Sequence, residues 1–244
     1  MKLTIIGPWG SYPKTNGASA GYLLEHDGFQ LLIDCGSGVL SKLQQYIHPT
    51  ELDAVVLSHY HADHIADIGV LQHALLVAKY MGESKGNMPI YGHKQDIASF
   101  QQLTYKDITT GIAYHENEEF VIGPFKMTFS KTIHPVPCYA MKCMADDKTI
   151  VYTADTSYSD SLVTFSQHAN VLLCEASFYE QMSAQASGHM TSADAGQLAQ
   201  KAAVQGLILT HLPHFGDIKQ LKTEAAKQFS GDIELAKEGL TIDI

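Results

Sequence analysis

The stretch LDAVVLSHYHADH, residues 52–64, decides the reading of this chain. Its first half, LDAVVL, is nearly uncharged and carries β-branched valines, the pattern of a central strand buried on both faces. Its second half sets His59, His61, Asp63 and His64 where that strand must end. His59 and His61, two apart, point to one side of extended backbone, and Asp63 and His64 follow one turn later, leading into the helical pattern ADIGVLQHALL. So many metal-capable groups at one strand end are costly to pack unless a cation binds them. Their spacing suits two neighbouring ions better than one.

Two ions need further ligands, and other strand-like runs supply them. FSKTIH ends on His134, KTIVYTAD on Asp155 and GLILTH on His211, each an apolar strand closing on a metal-capable side chain. An aspartate between two cations can bridge them, which suits Asp155. Zinc is the first choice for this mixture of imidazole and carboxylate, and manganese or iron can use the same donors.

Outward from these motifs, short apolar runs bounded by Gly, Pro or Asp alternate with amphipathic helical patterns. The strands include KLTIIG, GYLLEH, FQLLIDCG, MPIYG, YAMKCMA, NVLLCEAS and IELAKEGLTIDI; the helices include SGVLSKLQQYI, KQDIASFQQL, TSADAGQLAQKAAV and FGDIKQLKTEAAKQF. That alternation predicts an α/β protein. The order suggests two halves meeting near position 115, with no Ser/Gly-rich or Pro-rich linker between them, so one domain over 1–244 built of two pseudo-equivalent halves is expected.

Composition narrows the function. The 244 residues carry a formal charge of −10, and all 16 basic residues are lysines. Without guanidinium forks, an acidic chain is poorly equipped to hold a long polyanion. The four cysteines show neither CxxC spacing nor disulfide-scaffold density, and reduced, buried thiols are expected. No run is long enough to span a membrane and the start lacks a signal-peptide pattern, so a cytoplasmic location without membrane attachment is expected.

The motif His59-x-His61-x-Asp63-His64, followed in order by His134, Asp155 and His211, resembles the metallo-β-lactamase superfamily nearly end to end. LLIDCGSG at 31–38 resembles its first aspartate loop. The resemblance implies a four-layer αββα sandwich. It also implies one metal held by His59, His61, His134 and Asp155, and a second held by Asp63, His64, Asp155 and His211. Asp34 has two readings, a strand-end turn residue or a hydrogen-bond partner orienting the metal-loop histidines.

Further segments are similar to the tRNase Z-like branch: IGPWGSYPKTNGASAGYLL, HPVPCYAMKC, LLCEASF and GHMTSADAG. In the last of these, Thr191 or Ser192 is placed to cap a helix; His189 has readings as the donor of a proton to a leaving oxygen or as an exposed loop histidine, and Glu175 as its orienting partner or as a strand-end carboxylate satisfied by backbone amides. The branch's long basic arm for tRNA has no counterpart here: only TSYSDSLVTFSQHANVLLC separates Asp155 from Glu175. Full-length tRNA is therefore not the expected substrate.

The expected activity is cleavage of small or cyclic phosphodiesters, with a metal-bridging hydroxide as nucleophile and Asp63 orienting or deprotonating it. Two alternatives remain open: hydrolysis of carbonyl esters, lactones or thioesters by the same centre, and a catalytically silent metal- or RNA-binding protein. The resemblance also allows a homodimer. Trp9, Tyr12 and Pro13 in the first loop have readings as a stacking surface or as loop packing, and Tyr139 as a substrate contact or core aromatic. His73 reads as structural or surface, His214 as pocket-lining or turn-capping, and His26, His48, His93, His115 and His168 as groups without a ligand role.

Overall fold

A computed structural model describes every residue from Met1 to Ile244 except Asn117. By its contacts the chain forms two units, one of Met1–His115 with Lys237–Asp243, the other of Glu116–Ala236 with Ile244.

The first unit is built on a seven-stranded mixed sheet. Its strands are β1 (Lys2–Gly7), β2 (Gly21–His26), β3 (Phe29–Ile33), β4 (Ala54–Val56), β5 (Met88–Gly92), β6 (Thr109–Ala113) and, from the chain's end, β14 (Thr241–Asp243). The order is β14-β1-β2-β3-β4-β5-β6. β14 through β3 are antiparallel and β3 through β6 parallel. Helices α1 (Val39–Leu43), α2 (Ala62–Ile65), α3 (Ile68–Met81) and α4 (Ile97–Gln101) complete this unit. Ile68, Leu71, Leu75 and Leu76 face inward from α3 and pack with Val55, Leu57 and Ile90 in one apolar cluster. α3 stops at Gly82, whose left-handed backbone closes the last turn.

The second unit repeats the plan with β7 (Glu119–Ile122), β8 (Phe125–Lys131), β9 (Tyr139–Ala145), β10 (Lys148–Tyr152), β11 (Val171–Glu175), β12 (Gly206–Thr210) and β13 (Asp232–Leu235). Their order is β13-β12-β11-β10-β9-β8-β7. β7 to β10 are antiparallel and β10 to β13 parallel. Helices α5 (Asp160–Phe165), α6 (Ser192–Lys201) and α7 (Ile218–Ala225) belong to this unit. α6 carries a capping box, in which Thr191 and Asp194 each bond the other's backbone N–H.

Some expectations need correction. IELAKEGLTIDI reads as one strand but divides at a turn through Lys237–Leu240, where Gly239 takes a φ of 80°; its first part joins one sheet and its last the other. The strands β6 and β7 and the helix α5 escape the hydrophobic pattern. β6 and β7 are edge strands with exposed residues, so they need no long apolar run. All four cysteines are reduced and buried, as expected, and among the described residues no helix is long and apolar enough to cross a membrane.

The metal loop is held by its neighbours. β4 is fully buried between β3 and β5, as its composition predicts, and the chain leaving it is tied to the loop that follows β3. Cys35 donates its N–H to the His64 carbonyl at 2.8 Å, and Asp67 donates to the Cys35 carbonyl at 3.1 Å. Gly36 lies so close that an added Cβ would sit 1.8 Å from the Asp63 carbonyl oxygen. A Gly36→Ala substitution must therefore push these loops apart. We expect it to cost about 1–3 kcal/mol, a fall in Tm on the order of 5 °C, and to weaken metal binding; thermal unfolding and metal titration check both.

Candidate metal centre

In the first unit the strand ends converge on Asp34, a fully buried carboxylate just past β3. Its backbone is left-handed, at a φ of 55°, strain of the kind that persists where surrounding contacts fix a functional geometry. Asp34 Oδ1 accepts the Ser58 N–H at 2.7 Å, while Oδ2 accepts the Ser58 hydroxyl at 2.8 Å and His64 Nδ1–H at 2.8 Å. Because the Ser58 hydroxyl proton is used on Asp34, its oxygen accepts from His59 Nδ1 at 3.0 Å. Both imidazoles are thus held through Nδ1–H, with Nε2 turned the other way.

The two Nε2 atoms face further polar groups. His64 Nε2 lies 3.6 Å from Asp63 Oδ2, an oxygen already receiving the Ser11 N–H at 2.7 Å. His59 Nε2 lies 3.1 Å from His61 Nδ1. His59 and His64 are fully buried, and Asp63 nearly so.

The second unit repeats the arrangement with different residues. Asp155 follows β10 through Ala154, and His211 follows β12; Ala154 and His211 both have a φ of 51°. His134 Nδ1 donates to the Gly188 carbonyl at 3.0 Å, and His211 Nδ1 to Ser177 Oγ at 2.8 Å. Their Nε2 atoms lie 3.9 and 3.4 Å from the same carboxylate oxygen, Asp155 Oδ2. Burial, the largest influence, pulls His134 below the ordinary imidazole pKa against the upward pull of Asp155, favouring the neutral form that ligation requires.

Beside this cluster, Glu175 ends β11 fully buried. Oε1 accepts the Thr156 N–H at 2.7 Å and His189 Nδ1 at 2.9 Å; Oε2 accepts the Ser177 hydroxyl at 2.7 Å and the Met190 N–H at 3.3 Å. Four donors satisfy the carboxylate away from water. The His189 ring stacks on His211, centroids 5.4 Å apart at 18°, and meets His134 edge-on at 5.2 Å. With Nδ1 held by Glu175, the His189 ring turns Nε2 to the other side.

The structure gathers His59, His61, Asp63 and His64 in one unit and His134, Asp155, Glu175, His189 and His211 in the other. Asp34 takes the orienting role rather than that of a simple turn residue, and Thr191 caps α6 as expected. Ser58 and Ser177 were not singled out from the sequence. Each follows a strand end and links a buried carboxylate to an imidazole, and a serine flanking a metal-type motif is the available signal. Of the remaining aromatics, Tyr139 fills the core, and Lys14 covers the Trp9 ring at 3.9 Å. His73 is exposed, and His48 caps the turn at Pro49–Glu51.

The donor set fits divalent cations. Three imidazoles point a lone pair at a carboxylate oxygen 3.4–3.9 Å away, an arrangement that repels without a cation and attracts with one. The opposite ring nitrogen of each is held by a carboxylate, carbonyl or hydroxyl, as in oriented metal-ligating histidines.

Comparison with known proteins agrees with this chemistry. The family model described as "Metallo-beta-lactamase superfamily" matches residues 15–235. The "Probable metallo-hydrolase YhfI" of Bacillus subtilis (strain 168) is 51% identical over 239 residues, covering 98% of each chain, and the crystal structure of YhfI superposes with a TM-score of 0.98 at 49% identity over 99% of this chain and 98% of that one. "Ribonuclease Z" of Archaeoglobus fulgidus is 24% identical over 306 residues, covering 100% of this chain and 98% of the other. The short form of human tRNase Z shares the fold at a TM-score of 0.79, with 20% identity over 100% of this chain and 99% of that one. The expected α/β architecture and the tRNase Z-like relationship are both met. Matched over most of its length by the family model and over nearly all of it by a relative at 51% identity, the chain belongs to the metallo-β-lactamase superfamily.

Proposed function

We propose that this protein is a dinuclear metal-dependent hydrolase that cleaves small or cyclic phosphodiesters. The observation that carries the metal reading is the triple repetition of one motif: His64, His134 and His211 each have Nδ1 committed to an acceptor and Nε2 turned toward a carboxylate. In this reading His59, His61, His134 and Asp155 hold one divalent cation and Asp63, His64, Asp155 and His211 the other, with zinc the first choice. Once bound, such a pair supplies Lewis acidity toward phosphoryl oxygens and a water of lowered pKa.

The chain's own groups do the rest. Asp63, one oxygen of which is held by the Ser11 N–H, orients the attacking water. His189 delivers a proton to the departing oxygen from Nε2, and Glu175, through its 2.9 Å contact with Nδ1, stabilises the imidazolium beforehand. A fixed acid is what an alkoxide leaving group demands, and it supports diester cleavage with alcohol leaving groups. The charge of −10 and the lack of arginine support small substrates over full-length tRNA.

Stripping the metal with a chelator should abolish diester turnover, and zinc or manganese should restore it. Cleavage of a lactone or carboxylic ester with silence on every diester would transfer the activity to carbonyl hydrolysis, and metal binding with no turnover at all would leave a binding protein. Asp34→Asn leaves one acceptor oxygen where two now serve Ser58 and His64, and sets an NH2 donor against their donors; we expect metal affinity, read by competition with a chromophoric chelator, to fall about 10–100-fold.

His189→Ala should keep its metal content and lose about 10²–10⁴ in kcat on a nucleoside diester with an alkoxide leaving group. On bis(p-nitrophenyl) phosphate the loss should be much smaller, since p-nitrophenolate departs without a proton. Equal losses on both substrates would remove the acid role from His189.

A further inference from the structure

The imidazoles of the second unit do not end in a polar rim. Beyond His189 the ring of Phe178 lies 6.0 Å away at 47°, and beyond Phe178 the ring of Phe215 lies 6.4 Å away at 55°. Exposure rises along this line. His211 is buried, the His189 side chain is 19% exposed, Phe178 is half-buried and Phe215 is 47% exposed.

Both phenylalanines are fixed in place. Phe178 donates its N–H to the Met190 carbonyl and accepts from the Ser192 N–H, so it is laced to the segment carrying His189. Phe215 is held through its backbone, whose carbonyl accepts the Tyr179 hydroxyl at 2.8 Å; the Tyr179 ring also packs 5.8 Å from that of Phe215. The next residue, Gly216, has a φ of 73°, and a Cβ there would lie 2.5 Å from the Tyr179 hydroxyl oxygen. The turn thus admits only glycine without rearrangement, and the exposed ring is pre-positioned rather than loose.

From these contacts we infer that Phe178 and Phe215 form an aromatic wall seating the planar base of a nucleoside in the leaving group of the substrate. The side follows from His189, because the rings continue outward from the group that protonates the leaving oxygen. An aromatic wall takes any base, since every base offers a π-face, so it selects nucleosides over alkyl alcohols without choosing strongly among purines and pyrimidines. The inference rests on the phosphodiesterase reading for its reaction, and on the wall alone for its binding.

Calorimetric titration of the zinc-loaded protein with adenosine 5′-monophosphate and with ribose 5-phosphate isolates the contribution of the base, since both ligands carry the same sugar and phosphate. We expect the nucleotide to bind about tenfold more tightly, that gap to close in Phe215→Ala, and Phe215→Tyr to keep it. Equal affinities in the unaltered protein, no binding of either ligand, or an undiminished gap in Phe215→Ala would overturn the wall. A full gap with no diester turnover would sink the reaction and leave the wall standing; turnover without the gap would do the reverse.

Discussion

A neutral imidazole whose lone pair faces a carboxylate is an unfavourable pair, and this protein builds three of them. His64, His134 and His211 could each avoid the conflict by turning the ring or by taking a proton on Nε2. The hydrogen bonds of Nδ1 to Asp34, to the Gly188 carbonyl and to Ser177 close the first route by holding each ring in its orientation. At His134 burial also opposes the imidazolium, pulling its pKa down against the upward pull of Asp155. A divalent cation between Nε2 and the facing carboxylate would turn each conflict into ligation, and the hydrogen bonds at Nδ1 keep the rings aimed for it.

That requirement accounts for the irregular backbone. Asp34, Ala154 and His211 are non-glycine residues with φ between 51° and 55°, each just past the end of a buried strand. A β-branched or alanine-rich continuation would relax into the strand and point its side chains to alternate faces. A left-handed residue at the strand's end instead turns the next groups sharply. Such positions cost on the order of 1–3 kcal/mol each, offset by the ladder and hydrogen bonds that hold them. The two units reach the same solution with different residues: a buried carboxylate and a serine, Asp34 with Ser58 and Glu175 with Ser177.

The parts of this design that were legible in the sequence are those with strong local patterns. LDAVVL reads as a buried central strand because nothing in it is suited to water, and β4 is fully buried. Strand-end His and Asp residues stand out because each follows an apolar run. β6 and β7 were not legible: edge strands exposed on one side need only fragments such as TTGIA and EFVI, which resemble loops. The split of IELAKEGLTIDI was hidden because a turn at Lys237–Leu240 divides two short strands whose residues alternate alike. Ser58 and Ser177 were hidden for another reason. Serine is common at turns, and only the hydrogen-bond direction, donating to a carboxylate while accepting from an imidazole, distinguishes these two.

The acidic charge opposes an anionic substrate only over a short range. At physiological ionic strength charges are screened over about 8 Å, so the −10 spread across the surface acts weakly on a ligand already seated in a pocket. It acts on every phosphate of a long polyanion that must lie along that surface, where arginine forks would otherwise be needed. In the proposed reaction local and global electrostatics would therefore select by size: a centre ligated by imidazoles and carboxylates would hold one phosphoryl group, while the surrounding surface would favour no second or third. An aromatic wall of Phe178 and Phe215 suits that economy, because it adds affinity through an uncharged face whose strength does not depend on salt.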